Sequence, residues 1–134
     1  MKFSSRFTVA IQILLELHLN SDQKVSSLFL SNKIGVDNTT TRQVMLSLKQ
    51  ANLINNKPGP GGSTLVKELS EISLFDVYIS INDVDESLLT FYTPGLTATK
   101  TENEIIETIE DSFKIIRSYM YSQLKNIKLN SLLK

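Results

Sequence analysis

Apolar residues recur at spacings of three and four along much of this chain, the period of a helix that buries one face. Phe7, Ala10, Ile11, Leu14, Leu15, Leu17 and His18 mark a first helix, with Ser4 or Ser5 as its N-cap. The polar run from Asn20 to Lys24 ends it. Ser26 or Ser27 caps a short second helix with Leu28, Phe29 and Ile34 turned inward. Gly35 stands where a helix C-terminus takes a left-handed residue. Asp37 or Asn38 caps a third helix running to about Ala51. Val44, Leu48 and Ala51 lie on one side of it, flanked by Thr41 and Met45, while Thr39, Arg42, Gln43, Leu46 and Gln50 point the other way. A short helix, a turn of about four residues and a polar-faced helix in succession form a helix-turn-helix.

The period then breaks at NNKPGPGGSTL, residues 55–65, which holds three of the five glycines and two of the three prolines. Leu53 and Ile54 precede this stretch and Leu65 and Val66 follow it, so two short extended runs enclose a glycine-rich tip and predict a hairpin. A helix-turn-helix followed by a two-stranded hairpin is a winged helix. Ser73 begins a further small helix ending near Asn82, and the residues after it show no sustained period. The sequence TENE, with Thr101 as cap and Glu104 three residues on, predicts a capping box and a long last helix. Within it Ile105, Ile109, Phe113, Ile116, Met120, Leu124 and Ile127 fall in an arc of roughly 100°. Ile115 and Tyr119 widen this stripe, which is broader than a small domain readily covers and is expected to meet a twofold copy of itself. The predicted fold is mainly α with a small β-hairpin. It comprises a winged helix-turn-helix domain over 1–82, a loop over 83–101, and a dimerisation helix with C-terminal tail over 102–134.

Charge adds direction to this picture. Residues 1–67 carry eight Lys/Arg and three Asp/Glu, 8 − 3 = +5, whereas residues 68–134 carry six and eleven, 6 − 11 = −5. The basic half coincides with the winged helix and points to a polyanionic partner. Composition excludes several other classes. There is no cysteine and one histidine, so disulfides, thiolate-held metals and a histidine-rich catalytic metal site are ruled out, and no cofactor is expected. No nucleophile–base pair or phosphate loop is present to support an enzyme. No apolar run approaches the roughly 18–20 residues of a membrane span. Glu16 and His18 interrupt the one N-terminal stretch that could pass for a signal peptide, so the protein is expected to be cytoplasmic.

Three stretches together resemble the winged-helix repressor family that includes IscR, NsrR and CymR. FSSRFTVAIQILLEL is similar to the family's opening helix, and VSSLFLSNKIGVDNTTTRQVMLSLKQANLI has the spacing of its helix-turn-helix. GPGGSTL resembles its wing, with ISLFDVY as the start of the next helix. The resemblance covers nearly the whole chain. It implies a homodimer that crosses its long C-terminal helices and binds an operator in double-stranded DNA. Several members hold an iron–sulfur cluster on three cysteines in the loop before that helix. This chain has none there, which makes it a cluster-free member with a different signal. Family wings often carry an arginine just before the Gly-Pro-Gly-Gly tip; here Pro58 stands in that place, with Lys57 one residue earlier.

A recognition helix presents its N-terminal residues to base edges, which here means Thr39, Thr40, Arg42 and Gln43. Arg42 suits guanine and Gln43 adenine. Ser26 and Ser27 sit at a helix N-terminus, where a phosphate or a simple cap is equally well served. Lys57, Gly61, Gly62, Ser63 and Thr64 are the wing candidates, and Lys2 and Arg6 are candidate phosphate contacts. His18 is expected to be a core histidine. Phe91, Tyr92 and Tyr119 could line an effector pocket, though core packing explains them as well. The competing reading is a winged helix that binds another protein rather than DNA.

Overall fold

The computed structural model describes residues 3–56, 62–81 and 94–133. Helices α1 (Ser5–Leu19), α2 (Ser27–Ile34) and α3 (Asn38–Gln50) are followed by strands β1 (Ile54–Asn56) and β2 (Ser63–Leu65). Helices α4 (Leu74–Ile81) and α5 (Lys100–Asn126) complete the regular elements, with 3-10 turns at Leu69–Glu71 and Leu129–Leu132. The strands pair antiparallel with Ile54 opposite Leu65 and Asn56 opposite Ser63.

Local chemistry sets the boundaries. Ser26 caps α2, its hydroxyl accepting from the Phe29 N–H at 3.0 Å. Gly35 closes the helix at φ +79°, a conformation that costs other residues strain. The Gly35 and Val36 N–H groups both donate to the Ser31 carbonyl, and the Ser31 hydroxyl returns a bond to the Val36 carbonyl. This knot fixes the turn between α2 and α3. The core lies beneath it, where Ile13 and Leu14 of α1, Leu30 of α2, and Val44 and Leu48 of α3 are almost fully buried. Side chains of this kind contribute about 1.5–3 kcal/mol each.

Five expectations are corrected. In α2 Leu30, rather than Leu28, faces the core: Leu28 is exposed and Phe29 and Ile34 are half-buried. Ala51 at the end of α3 is exposed, as is His18, which follows the buried Leu17 in the last turn of α1 and turns away from the core. The long helix starts earlier than the TENE box implies. Thr99 is the cap, paired reciprocally with Glu102, because TATKTENE contains two overlapping Thr-x-x-Glu patterns and the first adds further helical residues. Leu124 is buried within the single chain, so it packs inward and leaves the exposed stripe.

Two features tie the long helix to the winged helix. Aromatic rings run from α1 through α4 to α5: Phe7 lies 5.7 Å from Tyr78, Tyr78 lies 5.8 Å from Tyr121, and Tyr121 lies 5.1 Å from Phe75. Lys125 Nζ sits 4.6 Å above the Phe75 ring. After α5 the chain turns back. The Leu74 N–H donates to the Ile127 carbonyl and the Leu129 N–H to the Ile72 carbonyl, each at 2.9 Å. Leu129 is fully buried in the same core as Ile13 and Leu48. The segment expected only as a tail therefore contributes to the winged helix.

Candidate nucleic-acid interface

The polar face of α3 begins at its cap. Asp37 Oδ2 accepts from the Thr40 N–H at 2.8 Å, and the Thr41 hydroxyl donates to the Asp37 carbonyl at 3.0 Å. Thr41 is thereby turned into the core, which leaves Thr39, Arg42, Gln43 and Leu46 exposed on the opposite side and Thr40 half-buried. The Thr40 bonds hold the Asp37 carboxyl below its usual pKa of 3.8. A carboxyl whose folded-state pKa is depressed supports the fold fully above the unfolded value and loses that support as pH falls through the folded one. Asp37→Asn is therefore expected to flatten the decline in melting temperature between about pH 5 and 2 relative to the parent chain. Equal slopes in thermal melts would remove this role for Asp37.

Beside α3 lies a cleft of about 380 Å³ whose lining includes Ser26, Ser27, Arg42, Lys49, Asn56 and Gly62. It brings together one end of α2, one side of α3 and the root of the hairpin. Gly62 adopts φ +72°, and a Cβ there would stand 2.7 Å from the Val25 nitrogen. The adjoining Ser63 N–H donates to the Val25 carbonyl at 2.9 Å. The wing root is thus fastened directly to the residue before the α2 cap. The Arg42 side chain makes no ion pair or hydrogen bond among the described residues, and its guanidinium is available to a ligand.

The structure sorts the expected contact residues. Ser26, Ser27, Arg42 and Gly62 share the cleft. Thr39 is exposed on α3, and Thr64 is half-buried on β2. Ser63 lines the cleft but is buried, with its hydroxyl donating to Asn56 Oδ1 at 2.7 Å; that bond braces the hairpin and leaves the hydroxyl oxygen as an acceptor. Arg6 and Gln43, predicted separately, are joined: Arg6 Nη2 donates to Gln43 Oε1 at 2.7 Å. Lys2, Lys57 and Gly61 lie outside the described residues, as do Phe91 and Tyr92. Lys49 was not anticipated. Its signal was present as the spacing Arg42, Leu46, Lys49, which places the three on one helical face.

Comparison with known proteins adds lineage to this geometry. The Rrf2 family, described as iron-dependent transcriptional regulators, matches residues 3–134. YwnA of Bacillus subtilis (strain 168), named among the HTH-type transcriptional regulators, is 27% identical over 128 residues, covering 92% of this chain and 95% of YwnA. A crystal structure described as that of a DNA-binding protein superposes with a TM-score of 0.80 at 23% identity, over 97% of this chain and all of that one. CymR, the global cysteine regulator of B. subtilis, superposes with a TM-score of 0.66 at 17% identity, over 98% and 95% of the two chains. The iron in the family's description does not fit these residues. The sequence offers no thiolate, and the described residues hold no group of three His, Asp or Glu side chains able to take a metal. By its fold and its full-length match, the chain belongs to the Rrf2 family, as a member without cysteine.

Proposed function

We propose that the protein is a dimeric, sequence-specific DNA-binding regulator that represses by occupying an operator, and that it answers a signal other than a thiolate-held cluster. The cleft carries this reading. It sets Arg42 and Lys49 of α3 beside the N-terminus of α2 and the wing root, all on the basic half of the chain. The first N–H groups of α2 suit a phosphate, and the Ser26 hydroxyl, which accepts within the cap, still has its proton to donate. The outward face of α3 then lies in a major groove. Support for the dimer comes from α5, about 40 Å long at 1.5 Å per residue. Among the described elements it packs chiefly on α4, and Ile105, Ile109, Ile115, Ile116 and Tyr119 remain exposed along it.

Selection from random DNA by the purified protein tests the reading, and a pseudo-palindromic site is expected. Arg42→Ala should then cost about 1–3 kcal/mol per half-site and relax preference at one base pair. Lys49→Ala should weaken all sequences alike and lower the salt slope by about one for each lysine removed. Binding to single-base operator variants at several salt concentrations separates the two outcomes. An unchanged ranking in Arg42→Ala would remove Arg42 as a base reader. If no sequence is enriched, the face bearing exposed Leu46 serves a protein partner instead.

A further inference from the structure

Arg6 on α1 and Gln43 on α3 are 37 residues apart in sequence, yet Nη2 of the first donates to Oε1 of the second at 2.7 Å. Both side chains are exposed, and Gln43 lies on the outward face of α3 beside Arg42. An arginine has donors only, so the bond decides which end of the amide faces it. The oxygen turns to Arg6 and the Nε2 amino group turns away.

A free glutamine offers an acceptor and a donor side by side, the pair that matches N6 and N7 of adenine. A guanidinium against Oε1 takes one of its two lone pairs and sets a positive charge where the second donor would approach. The adenine amino group, itself a donor, would have to approach an oxygen that a cation already holds. What Gln43 presents most freely is the two N–H of Nε2, beside a positive charge. Guanine, with acceptors at O6 and N7, is the base edge that fits.

We infer that Arg6 is a positioning residue that sets the base preference of Gln43, making it a reader of guanine rather than adenine. This rests on the DNA-binding reading above and specifies what that face recognises. It also separates Arg6 from a plain phosphate contact, which would carry no sequence information.

The test uses the full chain and operators selected from random DNA. The base pair whose preference flattens in Gln43→Ala identifies the Gln43 position. There the parent protein is expected to favour guanine over adenine by roughly five- to 150-fold. Arg6→Ala and Arg6→Met should both move the preference to adenine; the methionine keeps an apolar stem in case α1 packs poorly without one. Arg6→Lys, which retains a cationic donor, should keep part of the guanine preference. In a Gln43→Ala background, Arg6→Ala should leave the ranking of bases unaltered. A uniform loss of affinity with the ranking intact would make Arg6 a phosphate contact and overturn the inference, as would a parent preference for adenine. A parent protein that enriches no sequence would remove the DNA-binding reading itself, and the inference with it.

Discussion

Replacing Ile109 and Ile116 together by serine is expected to turn a dimer into a folded monomer and to reduce operator affinity by two to four orders of magnitude. Both side chains are substantially exposed in the single chain, 37% and 53%, so little of its own core depends on them. In a dimer they would lie near the middle of the apolar stripe and lose that exposure. A dimer holds its second recognition helix at high effective concentration over the second half-site, and a monomer does not. Sedimentation at micromolar concentration reads the assembly, and titration of the selected operator reads the affinity. A parent chain that sediments as a monomer would sink the proposal. Serine variants that stay dimeric would move the interface to another face.

How legible such features were in the sequence depended on whether they were local. The helix-turn-helix was readable because Ser26, Gly35 and Asp37 each act on backbone within four residues of themselves. The hairpin was readable because its glycines and prolines break an otherwise helical period. Leu28 and Leu30 could not be ranked, since three consecutive apolar residues on a two-turn helix leave the inward direction to tertiary packing. Thr99 and Thr101 offered equal caps by pattern. Ser63 read as a free hydroxyl until the strand register placed it opposite Asn56. The Arg6–Gln43 bond and the burial of Leu129 join positions far apart in the chain, and no periodicity encodes such pairs.

Gly62→Ala is the substitution expected to do most damage at the wing, and Gly35→Ala is its internal control. Both glycines have positive φ, +72° and +79°, so alanine is strained at either. At Gly35 the added methyl meets nothing within 4 Å, and the strain alone, about 1 kcal/mol, is the cost. At Gly62 it would stand 2.7 Å from the Val25 nitrogen and 2.8 Å from the Val25 oxygen. Backbone must then separate, and the Ser63 N–H to Val25 carbonyl bond is lost as well. The combined expectation is about 2–4 kcal/mol, roughly 10 °C in melting temperature, or a detached wing if the rest of the fold holds. A detached wing would show as a large loss of operator affinity with little change in melting. Equal effects of the two substitutions on both measures would mean that the wing root is not held against Val25.

The return of the chain after α5 bears on the order in which the protein can be made. Synthesis completes α1, α2 and α3 well before it reaches Leu129, yet Leu129 fills their core and binds Ile72, 129 − 72 = 57 positions earlier. Closing so long a loop is slow and must precede its reward. Until then the Ile72 carbonyl and Leu74 N–H lack their partners and the core keeps a gap where a leucine belongs. A nascent or clipped chain that carries α3 without α5 and the residues after it is thus an unfinished fold, expected to be more open to proteolysis than the full chain. Linking the two in one core makes the completion of the first helices depend on the last residues of the chain.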